Sequence, residues 1–281
     1  MPPEAFFLPA HKGVRFCLLH RPTQAARGLV VYVHPFAEEM NKSRRMAALQ
    51  ARSLAHAGFV VLQIDLHGCG DSSGDFGDAT WADWVDDVVQ ASHWLRNQDA
   101  QGSASQAAPP LWLWGLRAGC LVAAEAAKQL EETCNFLFWQ PPSSGKPLVQ
   151  QFLRLKVAGE ILGGQAKGIM DSLRQSLASG ASVEIAGYQL SPGLAFGLEQ
   201  STLAPPALTT DTPRVEWFEL STREDATLSP VSVKTCAEWQ HGGKLVRSHV
   251  VQGPSFWQTT EIEDAPALIG ATTAALTNSA P

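Results

Sequence analysis

No apolar run in this 281-residue chain approaches the roughly 20 residues that a membrane-spanning helix needs, so a membrane span is not expected. The first residues, Met-Pro-Pro-Glu, offer neither the basic flank nor the apolar stretch of a secretory signal. Cysteine is scarce: five residues, an odd number, scattered, with no C-x-x-C pair. That excludes a disulfide framework and leads us to expect buried thiols in a cytoplasmic protein. Charge is scarce as well, 17% of residues with a net charge of −6, so nothing draws the chain to nucleic acid or to an anionic membrane. No histidine pair with a nearby carboxylate has metal-ligand spacing, and neither a zinc site nor a cofactor is expected. No internal repeat is evident.

Apolar residues are plentiful, 45% of the total, enough for a large core. At this length they imply one domain of generous size, or one domain carrying an insertion. Phe6 to Leu8 and Val14 to His20 read as short strands around a His11-Lys12-Gly13 turn. Leu29 to Val33 and Phe59 to Ile64 read as buried strands, separated by a helix over Ser43 to Ala57 that Gly58 stops. Thr80 and Asp83 have capping-box spacing, with Trp81, Trp84, Val85, Val88 and Leu95 behind them at helical spacing. A polar loop from Asp99 to Pro110 precedes the strand Leu111 to Gly115, and Asn135 to Trp139 is the next strand. Strands alternating with helices imply an α/β fold with a mostly parallel sheet and helices on both faces.

The alternation breaks from about Lys146 to about Pro206. Val149 to Ile161 and Ile169 to Leu177 read there as amphipathic helices, and no buried strand run occurs. We therefore expect a core over 1–145, a helical cap over 146–206 at the carboxyl edge of the sheet, and the rest of the core over 207–281. In that last part Val215 to Leu220 and Leu245 to Val251 read as strands, Val231 to Gln240 and Ala265 to Leu276 as helices.

The densest signal is Leu111-Trp-Leu-Trp-Gly-Leu-Arg-Ala-Gly-Cys120. Strand, then Gly-x-x-x-Gly, then a small-residue helix is the layout of the nucleophile elbow of α/β-hydrolases. Further support comes from His34-Pro-Phe-Ala-Glu-Glu-Met-Asn-Lys-Ser-Arg-Arg45, Asp65-Leu-His-Gly-Cys-Gly-Asp-Ser-Ser-Gly74 and Gly253-Pro-Ser-Phe-Trp-Gln-Thr-Thr-Glu-Ile-Glu263. With these, the chain resembles the α/β-hydrolase superfamily. More closely, it resembles the second type of exosortase A system-associated hydrolase, a group linked to PEP-CTERM protein sorting and exopolysaccharide gene clusters in Gram-negative bacteria. The resemblance implies an α/β-hydrolase fold and a hydrolase of an ester, a thioester, or an anionic carbohydrate or lipid precursor.

The resemblance also assigns positions. The elbow residue is Arg117, between Leu116 and Ala118; the acid falls at Asp225 and the base at Ser255. The backbone N–H groups of Phe36 and Ala118 correspond to the oxyanion hole. A guanidinium has no lone pair to attack with, and a serine hydroxyl is no base, so a Ser–His–acid route fails at two positions of three. His249 reads as a strand or edge histidine, and Cys120 sits one turn into the helix, so neither repairs the triad. Arg117 has two readings of equal weight: a plug held by Asp225, Glu38 or Glu39, or a ligand for a carboxylate or phosphate. The resemblance places the elbow residue and the acid loop on opposite sides of one imidazole. With Ser255 in its place, a close-packed interior would not leave the gap empty, so we expect Arg117 to reach Asp225 directly or through one water, with Ser255 bonded to the same group. Glu38 and Glu39, with Arg44 and Arg45, form either a charge cluster over the site or a solvated helix start. His34 reads as a loop-shaping hydrogen bonder; it, His67 and Asp225 are the candidates for activating water. Trp257 is expected at the pocket wall.

Three functions stay open. One is a hydrolase working without a covalent serine intermediate, with Arg117 stabilising developing charge. Another is a binding protein for a small anionic or acyl ligand. The third is a partner of a companion hydrolase. Fold alone does not choose among them.

Overall fold

The structure, a computed structural model, describes residues 2–100, 108–161, 168–207 and 212–278. In chain order the first half runs β1 (Glu4–Ala10), β2 (Gly13–His20), β3 (Gly28–Val33), α1 (Glu38–His56), β4 (Phe59–Ile64), α2 (Trp81–Ala100), β5 (Leu111–Leu116), α3 (Ala118–Ala127) and β6 (Cys134–Trp139). Then come α4 (Lys146–Ile161), α5 (Ile169–Ala178), β7 (Val183–Ile185), β8 (Tyr188–Leu190) and α6 (Pro192–Gln200). The chain ends with β9 (Arg214–Ser221), α7 (Pro230–His241), β10 (Leu245–Gln252) and α8 (Pro266–Thr277).

Eight strands form one sheet in the order β1-β2-β4-β3-β5-β6-β9-β10. β1 and β2 run antiparallel to their neighbours, and every other pair is parallel. This is the expected α/β-hydrolase fold. β3 and β5 are buried along their whole length, which is why they read as unbroken apolar runs rather than alternating ones. Their side chains divide by the period of two. Val31 and Leu113 pack toward α2, α3 and α7 with Trp84 and Trp239, while Val30, Trp112 and Trp114 pack toward α1 and α8 with Met46 and Leu268.

The capping box forms as its spacing predicts. Thr80 N–H donates to Asp83 Oδ2 at 3.0 Å and Asp83 N–H to Thr80 Oγ1 at 3.2 Å, which starts α2 at Trp81. Two expectations need correction. α1 begins at Glu38, five residues before Ser43, because the chain turns at Ala37 directly off β3 and the acidic pair Glu38-Glu39 suits a helix N-terminus. The segment between β6 and β9 is also not wholly helical: β7 and β8 pair as a hairpin through Ala186-Gly187, both at positive φ (49° and 84°). Strands of three residues are too short to leave a period in the sequence. The polar loop expected over Asp99 to Pro110 falls largely on 101–107, outside the described residues, and α2 extends through its first two positions.

Candidate functional site

The carboxyl ends of β3, β5 and β6 carry three non-glycine residues at positive φ: Ala37 at 50°, Arg117 at 53° and Gln140 at 45°. Such conformations cost on the order of 1–3 kcal/mol each and persist only where the surroundings over-determine them. Around Arg117 those surroundings are plain. The chain leaves β5 at buried Leu116, turns at Arg117 (φ 53°, ψ −118°) and enters α3 at Ala118. The Arg117 N–H donates to the Trp139 carbonyl at 3.0 Å, and its carbonyl accepts from Cys120 N–H at 3.0 Å. A Cβ on Gly115 would lie 2.5 Å from the Cys120 backbone, and one on Gly119 would lie 2.1 Å from the Val33 carbonyl oxygen. Only glycine lets α3 start this close to β3 and β5.

The turn presents a guanidinium with its partners already in place. Arg117 Nη2 donates to Glu39 Oε1 at 3.1 Å and to Gln151 Oε1 at 3.3 Å, and Nε donates to Glu39 Oε1 at 3.3 Å. The Trp257 ring lies 5.7 Å from the guanidinium carbon, within cation–π range. The Arg117 and Glu39 side chains are only 13% and 11% exposed. Arg117 is thus held from α1, from α4 and from the loop after β10. Burial pushes the Glu39 carboxyl above its ordinary range, and the Arg117 charge pulls it part of the way back.

The expected bridge from Arg117 to Asp225 does not form. Asp225 points outward, its side chain 81% exposed, and pairs with Arg223 at 3.3 Å. The sheet order explains the choice. α1 starts at the end of β3, the strand beside β5, so Glu39 reaches the elbow directly; the Asp225 loop follows β9, two strands away on the other side. The carboxylate that turns inward near the end of β9 is Glu219, which accepts from Ser229 N–H at 3.0 Å and from the Ser232 hydroxyl at the start of α7. Ser255 is half-buried and its carbonyl accepts from Gln258 N–H at 2.8 Å; among the described residues its hydroxyl bonds to neither Arg117 nor Asp225.

Neither candidate imidazole faces this cluster. His34 Nδ1–H donates to the Pro35 carbonyl at 2.8 Å and Nε2 accepts from Leu66 N–H at 3.1 Å, which only the neutral ring can do. Burial lowers its pKa, so it stays neutral and shapes the loop. The His67 backbone is tied to α2, its N–H donating to Asp87 at 2.7 Å and its carbonyl accepting from Trp84 Nε1–H at 3.0 Å, and its ring packs on Gly74, where a Cβ would lie 2.5 Å from Cε1. His249 bonds to buried Glu216 at 2.8 Å and stacks on Phe218 at 4.3 Å, as a strand histidine should. Cys120 is fully buried, and burial pushes its thiol well above the usual range. Phe36 and Ala118 are buried at the ends of adjacent strands, so their amides share one stretch of the sheet edge. Beside them Phe36, Glu38, Leu148, Gln151 and Phe152 line a shallow dimple with room for about one water, roughly 20 Å³. One Glu38 carboxylate oxygen is buried there without a partner. Of the cluster, Gln151 left no mark in the sequence, and Glu39 was one of three carboxylates that could have held Arg117. Among the described residues no group of three His, Cys, Asp or Glu could hold a metal, and no helix is long and apolar enough to cross a membrane.

Residues 24–169, from before β3 to past α4, match the family model described as serine aminopeptidase, S33. The chain belongs to that family, within the α/β-hydrolases. This S33-family chain is 31% identical over 121 residues to the human (Homo sapiens) Protein ABHD12B, a match spanning 43% of this chain and 30% of that protein. It is similar in fold to Est1E of Butyrivibrio proteoclasticus, solved with ferulic acid bound, at 14% identity and a TM-score of 0.68, with 97% and 98% of the two chains covered. It is also similar to a soluble variant of the monoglyceride lipase of Saccharomyces cerevisiae, solved with a substrate analog, at 13% identity and a TM-score of 0.62, with 99% and 94% covered.

Proposed function

We propose that this S33-family chain is a catalytically inactive relative of the exosortase A-associated hydrolases of the second type, a pocket protein that binds its ligand rather than hydrolysing it. On this reading it serves a cytoplasmic step of a PEP-CTERM and exopolysaccharide system by binding at its elbow. One observation carries the proposal: the residue on the elbow is a guanidinium bonded to Glu39 at 3.1 Å, and Asp225 and Ser255 are bonded to neither. Nothing at the turn can attack a carbonyl, and no imidazole stands by to take a proton. The charge of Arg117 is already matched by Glu39, so an anion would have to displace a carboxylate to reach it. An acyl ligand lying over the open mouth of the dimple at Phe36, Leu148 and Phe152 needs no such displacement. A division into core over 1–145, cap over 146–206 and core over 207–281 belongs to this reading, with the cap as the surface that meets a companion hydrolase.

A panel of p-nitrophenyl esters, run on wild type and Arg117→Ala, tests it together with a fluorophosphonate probe. We expect no turnover above background in either protein and no labelling. Turnover in the wild type that Arg117→Ala abolishes would overturn the binding role and restore hydrolysis without a serine intermediate. One observation favours that second reading: Glu39 is a buried carboxylate with a raised pKa beside the Phe36 segment, a fair general base if Arg117 releases it. It requires turnover that Glu39→Gln also removes.

A further inference from the structure

A second cavity opens away from the elbow, between α1 and the β2–β4 side of the sheet. It has a volume of about 190 Å³ and is lined chiefly by Phe16, Leu18, Tyr32, Met40, Arg44 and Gln63. Its origin lies in the strand order. α1 packs on β4, so β2 and β1 run out past the helix and their α1-side residues are left part-covered. Phe16 and Leu18 are half-buried, and Phe7, opposite Phe16 in register, is 56% exposed.

The chemistry inside is selective. Arg44 gives both Nη groups to Asp65, at 3.2 and 3.1 Å, so the two formal charges at the cavity cancel. Gln63 Oε1 is taken by His20 Nε2 at 2.9 Å, which leaves the amide N–H groups. Tyr32 interrupts the run Leu-Val-Val-Tyr-Val with the one polar group of its strand. It is 5% exposed, its ring lies 4.4 Å from that of Trp114, and among the described residues its hydroxyl makes no hydrogen bond. Burial pushes the phenol far above its usual range, so it stays a neutral donor. The hydroxyl thus opens to the cavity with a donor to give, where a ligand oxygen can take the place of water.

We propose that this cavity binds a small uncharged molecule with an apolar body and one oxygen acceptor, such as an amide or ester carbonyl, received by the Tyr32 hydroxyl and the Gln63 amide. The apolar walls bury the body, and the cancelled charges give an ion no advantage. Benzamide, benzoate and benzylammonium share one ring and differ in head-group charge. Each is titrated into the full chain and followed in amide ¹H–¹⁵N spectra. We expect benzamide to shift residues of β2, β3 and α1 and the two ions to shift them far less. Tyr32→Phe keeps the ring packing and should weaken benzamide about fivefold, the worth of one neutral hydrogen bond. Ala48 of α1 also lines the cavity, so Ala48→Leu fills it and should abolish the shifts. Equal binding of the three probes, no binding of benzamide, shifts confined to α3 and the Trp257 loop, or unchanged affinity in either variant would each overturn the proposal.

Discussion

Two arginine–carboxylate pairs stand at the carboxyl edge of this sheet, and they differ in almost every respect. Arg117 and Glu39 meet across two elements, 13% and 11% exposed, on a strained turn. Arg223 and Asp225 are near neighbours in one loop, 74% and 81% exposed. The contrast teaches what holds an acid in place. A guanidinium on the elbow must be neutralised, and the first turn of α1 supplies the carboxylate without ordering any loop. Nothing comparable calls Asp225 inward, and its loop lies open to solvent.

The largest effect should come from breaking the buried pair. Glu39→Ala leaves Arg117 charged and little exposed, and should cost about 3 kcal/mol, near the lower end for a stranded buried charge because Gln151 and some solvent remain. Urea denaturation measures it, and a loss well under 1 kcal/mol would mean the pair is open to water. Removing both partners in Arg117→Ala/Glu39→Ala should be milder than Glu39→Ala alone, with a coupling between about 0.5 and 3 kcal/mol in the double-mutant cycle. Additive losses would show that the two residues do not act as a unit.

A smaller effect separates the pairs by pH. The folded-state pKa of Glu39 is raised, chiefly by burial, so the folded protein holds that proton more tightly than the unfolded chain does. Its favourable contribution is full below the ordinary glutamate range, about pH 4.3, and is lost as pH rises through the raised value. Stability of the wild type should therefore fall relative to Glu39→Gln as pH climbs from about 4.3 toward neutrality. A difference that stays flat over that range, or moves the other way, would mean that the Arg117 charge outweighs burial. The raised pKa and the costly truncation are compatible, since a buried pair contributes little net stability and yet is expensive to halve.

Much of this edge was legible from residues alone. Gly115 and Gly119 marked the elbow because no other residue tolerates contacts of 2.5 and 2.1 Å to backbone, and that steric demand is local in sequence. The unbroken apolar runs at Leu29 to Val33 and Leu111 to Gly115 announced the central strands for an equally local reason. The partner of Arg117 was not local. Choosing Glu39 over Asp225 needs the strand order, which sets β3 beside β5 and β9 two strands off. Gln151 was out of reach too, since its helix is polar on one side and nothing in its pattern says which neighbour that side meets. The β7–β8 hairpin was lost because three-residue strands have no period to detect.

The smallest expected effect is the sharpest for the comparison, because the opposite reading requires a large one. If Asp225 were the acid of a working triad, its loop would be drawn in when the protein is active, and Asp225→Ala would lower any turnover severely. If it were instead the counter-charge of Arg117, the same change would strand a guanidinium and cost as much as Glu39→Ala. The structure supports neither, since the carboxylate lies 81% exposed against Arg223, where water screens the pair and replaces either partner readily. We expect Asp225→Ala to leave the urea midpoint where it is and to leave ester turnover at background. A midpoint shift comparable to that of Glu39→Ala would show that the loop folds inward in solution and that Arg117 shares its charge between two carboxylates.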